Sequence, residues 1–147
     1  MDDKETERDG ATKEELLDVF IKQIRCILEF AAPAWHGAIT QGERTNIERV
    51  QKAALHIILG ENYSSYKDAL KLTNLESLDI RREQMCLVFA KKCEKQPKLK
   101  HWFKLNHKAI DTRGTITKYC EVTANRRRYE NSAISYLTHL LNKHYQE

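Results

Sequence analysis

Cys86, Cys93, His101 and His107 are the residue types that hold zinc, and they follow one another closely in the chain. Their spacing argues against one shared ion. The apolar pattern predicts a helix through this region, and seven helical residues put Cys86 and Cys93 roughly 10 Å apart along the axis. Two sulfurs on one zinc lie within about 4 Å of each other. Neither C-x-x-C nor H-x-x-x-H occurs. Buried structural thiols are the expectation, with no metal and no cofactor.

Nucleophilic and phosphate-binding chemistry finds no better support. No Ser stands in a G-x-S-x-G elbow. Gly10, Gly37, Gly42, Gly60 and Gly114 are isolated, so no glycine-rich loop cradles a phosphate. Asp2 and Asp3 are paired carboxylates of the kind that binds Mg²⁺, but an acidic terminal tail cannot hold two ligands in fixed geometry. His36 beside Trp35 reads either as a reactive imidazole or as part of a turn packing its aromatic ring on the core, and the second is preferred. The expectation is a chain that is not an enzyme.

Bases are the remaining chemistry. Arg126, Arg127 and Arg128 form the densest cluster, read equally well as phosphate contacts and as a solvated charge run. Arg49, Lys52 and His56 recur at three and four residues. They read as a polar stripe, either solvated and paired (Glu48 with Lys52) or phosphate-binding. Arg81 and Arg82 lie between Leu78 and Met85, so at least one guanidinium is expected along the core, bonded to an acid or a helix end.

These side chains need elements to position them. Thr12 with Glu15 has the capping-box spacing, and Leu16, Leu17, Phe20, Ile21, Ile24, Ile27, Leu28 and Ala31 form a helical stripe behind it. Pro33 is expected to stop that helix, with Ala32 forced out of the α region. Thr40 and Glu43 open a second helix, with Ile47, Val50, Ala54, Ile57 and Ile58 inward and Gly60 at its C-terminal cap. Ser65 with Asp68 opens a third, broken at Asn74. A fourth runs from about Leu78 to Lys95, with Leu78, Met85, Val88, Phe89 and Cys93 as its core side and Pro97 closing it. Ile116, Lys118, Cys120 and Val122 alternate with Thr117, Tyr119 and Glu121, which allows a short strand or an extended arm. A last helix starts at Ser132 and runs to His144, with Ala133, Ile134, Leu137, Leu140 and Leu141 on one side.

The expected fold class is mainly α, a small multi-helix domain of four to six helices. Residues 1–11 are expected as a disordered acidic tail, 12–97 as the helical domain, and 98–147 as a looser basic extension ending in a helix. The 147 residues are 41% hydrophobic and 31% charged, enough apolar material for one unstapled helical domain. Net charge is +4, too mild to establish a nucleic-acid partner. Five acids against two bases in residues 1–11 leave +7 on the remainder, and six Lys and four Arg against four acids put +6 of it after Pro97. No apolar run reaches the ~20 residues of a membrane span. The acidic start lacks a leader pattern, and four unclustered Cys fit reduced thiols, so an intracellular location, nuclear or cytoplasmic, is expected.

Several blocks in order carry a resemblance. Arg25-Cys26-Ile27-Leu28-Glu29-Phe30-Ala31-Ala32-Pro33-Ala34-Trp35 resembles the R-x-I-L-E-Y-A-x-P-x-W segment of non-LTR retrotransposon reverse transcriptases. Ile47-Glu48-Arg49-Val50-Gln51-Lys52-Ala53-Ala54 is similar to their next helix. Tyr63 to Tyr66 with Ala69-Leu70, then Leu75 to Leu78 and Arg81-Arg82, resembles the continuation, and Arg128-Tyr129 with Ser132-Ala133-Ile134 and Leu140-Leu141-Asn142 resembles the end of jockey-like members. The resemblance covers about residues 12–144. It implies the thumb and the segment after it, which grip primer–template backbone. The Tyr-x-Asp-Asp palm, the fingers, the endonuclease and a zinc knuckle have no counterpart in the sequence. The implied reading is a non-catalytic fragment or remnant. Lys22, Arg25, Arg49, Lys52, Arg126, Arg127 and Arg128 would be its backbone contacts. The alternative is a helical interaction or structural domain that self-associates through an exposed face of the first two helices.

Overall fold

The structure, a computed structural model, describes residues 10–106, 117–121 and 132–146. It is mainly α-helical. In chain order the helices are α1 (Lys13–Val19), a π-helical segment (Phe20–Arg25), α2 (Cys26–Glu29), α3 (Ala32–Trp35), α4 (Gln41–Leu59), α5 (Tyr66–Leu72), α6 (Leu78–Lys95) and α7 (Ala133–His144). Short 3₁₀ turns lie at Gly60–Asn62 and Lys100–Trp102. Residues 1–9 of the acidic tail, Arg126 to Arg128, and Ile116 and Val122 of the alternating segment lie outside the described residues.

Contacts divide the described chain into two compact units, one of residues 10–30 with 42–78 and one of 31–41 with 79–146. Pro97, at which the sequence reading divides the chain, lies inside the second unit. That unit has a continuous core of Cys86, Ala90, Cys93, Phe103, Tyr119, Leu137, Leu140 and Leu141, drawn from both sides of the proline.

In the first unit, the Thr12 hydroxyl accepts from Glu15 N–H while the Glu15 carboxylate accepts from Thr12 N–H at 2.9 Å, so the capping box is complete. The helix does not then continue as a regular α-helix. Over Phe20–Arg25 it widens into π geometry, which adds a residue to the turn and rotates everything downstream. Phe20 is buried and Leu28 half-buried, but Ile24 and Ile27, expected inward, are exposed, and so is Ala31. The helix ends earlier than Pro33 implies. Phe30 leaves the helical region, and Ala31 is left-handed at φ 50°. Ala32 is helical after all, as the first residue of α3, and Pro33 follows inside the first turn, where its missing N–H leaves no bond unmade.

α4 begins directly after Thr40, and Gly60 follows it with φ 54°, the left-handed conformation a C-terminal glycine supplies. Its buried line is Gln51, Leu55 and the expected Ile58, while Val50 and Ile57, also expected inward, are exposed. α5 starts as expected, with the Ser65 hydroxyl accepting from Asp68 N–H, and Asn74 is left-handed at φ 52° beyond its end.

α6, which enters the second unit after Leu78, spans the expected residues and keeps Leu78 and Cys93 inward as expected, while Val88 and Phe89 of its expected core side turn outward. Arg82, Cys86 and Ala90 are also buried. The Cys86 and Cys93 thiols are core groups, and burial raises the Cys93 pKa. α7 opens at Ser132 and buries Leu137, Leu140 and Leu141 as expected, together with Thr138 and Asn142, while Ile134 is exposed. α3 packs against α7 here, and a Cβ on Gly37 would stand 2.5 Å from Tyr136, so only glycine fits that approach. The alternating segment makes one antiparallel bridge, Leu105 with Tyr119, and no strand is present among the described residues.

Candidate functional site

The candidate backbone-binding residues of the first unit fall into two pairs. Arg49 and Lys52 are exposed on α4, on the side away from Gln51, Leu55 and Ile58, with exposed His56 one turn further on. Arg49 accepts orientation from its own helix, its guanidinium donating to Asn46 Oδ1 at 3.1 Å. The His56 ring meets the edge of Tyr63 at 4.8 Å between centroids. Lys22 and Arg25 both lie on the π segment. Three residues of a widened turn do not return to the same side, so Lys22 is exposed while Arg25 is half-buried. Lys22 pairs with Asp18 one turn earlier. That pair is open to solvent on both sides, so it contributes at most about 1 kcal/mol and yields readily to a phosphate.

Three polar clusters lie within the units, one in the first and two in the second. The first centres on Gln51, fully buried on α4. Its amide donates to the Tyr66 hydroxyl and to the Glu76 carbonyl, each at 3.0 Å. Tyr66 donates to Glu48, whose carboxylate also accepts the Leu78 N–H at 3.1 Å. Burial, then the hydrogen bond to Glu48, pushes the Tyr66 phenol well above its usual range.

The second cluster is built on Arg82, one of the two adjacent arginines of which at least one was expected along the core. Its guanidinium is fully buried, donates from Nε to His36 Nδ1 at 3.3 Å, approaches Asp79 at 3.5 Å and lies 5.7 Å from the centre of the Trp35 ring. The turn therefore buries His36, and Trp35 is only half-buried, the reverse of the expected anchoring. Because Nδ1 accepts from Arg82, the His36 proton sits on Nε2, which faces Asp79 at 3.9 Å. The imidazole is thereby committed as an acceptor for Arg82.

The third cluster joins Glu94, Lys118, Tyr119 and Tyr145. Lys118 Nζ donates to Glu94 Oε1 at 2.8 Å, Tyr145 donates to Oε2 at 2.7 Å, and Tyr119 also donates to Oε1. Burial would raise the Glu94 carboxyl, but the hydrogen bonds from Lys118, Tyr119 and Tyr145 outweigh it and hold the pKa down at about 2. Burial and the bond to Glu94 push Tyr119 up to about 12, and the bond to Glu94 raises Lys118. Asn142 fixes the segment from behind, its Oδ1 accepting from Tyr119 N–H at 2.9 Å and its Nδ2 donating to Tyr119 C=O at 3.0 Å. A side-chain amide thus replaces a neighbouring strand on one edge of Tyr119.

Among the described residues no group of three or more His, Cys, Asp or Glu side chains is arranged to hold a metal ion. Nor is any helix among them long and apolar enough to cross a membrane. No family model, curated protein or solved structure matches the chain.

Proposed function

We propose that the chain is a non-catalytic, thumb-like fragment or remnant of a reverse transcriptase that holds nucleic-acid backbone without reading sequence. The observation that supports this is the exposure of Arg49, Lys52 and His56 along one side of a 19-residue helix whose other side is buried. Two of these groups are permanent cations at i and i+3, an arrangement that suits contact with phosphates and offers nothing shaped for a base edge. Lys22 and Arg25 would add to the same electrostatic attraction. Each phosphate neutralised contributes about −0.9 to the slope of log affinity against log salt, so two to four contacts give a slope of roughly −2 to −4. Fluorescence anisotropy with a mixed-sequence RNA–DNA duplex across a salt series measures it. Affinity that stays constant as salt rises refutes the reading.

A second reading is a protein-interaction domain. It is favoured by the exposure of Ile27 (76%), Phe30 (79%) and Ile57 (70%), large apolar side chains left in solvent within the first unit. Sedimentation of the purified chain separates the two. A tight dimer lacking duplex affinity supports the second.

A further inference from the structure

In the second unit, α6, α7 and the segment 117–121 bring two aromatic rings and a carboxylate around one ammonium group. Lys118 Nζ stands 3.7 Å from the centroid of the Tyr145 ring and 5.3 Å from that of Tyr119, with Glu94 Oε1 at 2.8 Å. The ring centroids are 6.4 Å apart and the planes are inclined at 59°, so the rings are two walls and the carboxylate is the floor. Both phenols donate to that floor.

Both walls have partners besides Lys118. Tyr119 is pinned through both backbone groups by Asn142, and its ring packs 5.7 Å from Phe103. Tyr145 caps α7, and its N–H bonds back to the Leu141 carbonyl at 3.1 Å. Glu94 rides on α6 with its side chain 14% exposed. The Lys118 side chain is 39% exposed, and Tyr145 is 46% exposed. The faces of the rings attract cations, and the attraction grows as the cation sheds water. A primary ammonium is compact and strongly hydrated, so it gains comparatively little there. An N-methylated ammonium spreads its charge and puts methyl groups, instead of hydrated N–H groups, against the rings.

We propose that Glu94, Tyr119 and Tyr145 form a binding site for an N-methylated ammonium, and that Lys118 closes it by occupying it from within the chain. Lys118 is then an intramolecular competitor, and removing it opens a site whose walls are already in place. The test titrates the full chain and its Lys118→Ala and Lys118→Gln variants with three probes. These are tetramethylammonium chloride, a short peptide carrying trimethyllysine, and the same peptide with unmodified lysine. Probe methyl resonances are followed by NMR, where stacking against the rings shifts them upfield.

The expected result is that both variants bind the methylated probes about tenfold or more tightly than the unchanged protein. Adding Tyr145→Ala to either variant should weaken binding by about tenfold. Preference for the trimethyllysine peptide over the free ion assigns the site to a modified side chain. Equal binding assigns it to a small quaternary ammonium. Three results overturn the proposal: a folded Lys118 variant that binds neither methylated probe, one that binds the unmodified peptide equally well, or loss of helical circular dichroism in both variants. The last would make the cluster a structural clamp.

Discussion

Glu94 accepts from three donors, and its carboxyl falls from an ordinary 4.5 to about 2 in the folded chain. As pH drops, the unfolded chain takes up this proton first. The stabilisation is therefore complete above about pH 5 and is lost as pH falls through 4.5 towards 2. With the side chain mostly buried, its upper bound is on the order of 3 kcal/mol. The Glu94→Gln variant should accordingly be less stable at pH 6 than the unchanged chain, and its stability should vary less between pH 5 and pH 3. Urea unfolding at three pH values measures both effects, and parallel pH profiles would contradict the assignment. None of this was legible in the sequence, because Lys118 and Tyr145 meet Glu94 from 24 and 51 residues away. Gln51 was hidden for the same reason. Its buried amide nitrogen donates to the Glu76 carbonyl 25 residues on, and a pattern of apolar spacing carries no trace of that bond.

At the scale of elements, helix starts and stops were legible and helix faces were less so. Thr12, Ser65 and Ser132 cap as expected because each cap is settled within three residues. Gly60 and Asn74 adopt φ above +50° at the expected breaks, being residue types that tolerate it. Ala31 does so too, and an alanine gives no such warning. Its left-handed conformation costs roughly 1–2 kcal/mol, of which glycine would return part to unfolded-chain entropy. Ala31→Gly should raise stability by about 0.5–1 kcal/mol in a thermal melt. The π segment explains the misplaced Ile24 and Ile27. A π turn is an α-helix carrying one extra residue, so deleting Gln23 should restore a regular helix and leave Leu28 and Glu29 facing as before. Deleting Ala53 from α4 instead rotates Leu55 and Ile58 away from Gln51. Each fully buried aliphatic side chain contributes about 1.5–3 kcal/mol, so that variant should lose several kcal/mol while the Gln23 deletion loses less than about 1 kcal/mol. Equal losses would mean that the widened turn is not a simple insertion. On α6 the misreading has a different cause. Arg82 fills an inward position by pairing with His36 and lying near Trp35, and Val88 and Phe89 then fall outside.

For the whole molecule, the charge that matters for a polyanion is the charge free to reach it. Of the seven proposed contacts, four lie among the described residues, and two of those, Arg49 and Lys52, are exposed on one regular helix. Replacing both with Gln removes two phosphate contacts. The salt slope of duplex binding should therefore become shallower by about 1.8, with little change in melting temperature because neither side chain is in a core. Replacing Ile27 and Phe30 with Ser is the complementary experiment. If exposed apolar groups serve self-association, sedimentation should show the variant as a monomer at concentrations where the unchanged chain is not, and the duplex slope should stay as it was. The two outcomes are separable because the first depends on ionic strength and the second on apolar area. A shallower slope with unchanged association favours the backbone-binding reading. An unchanged slope with lost association favours a module that meets another protein.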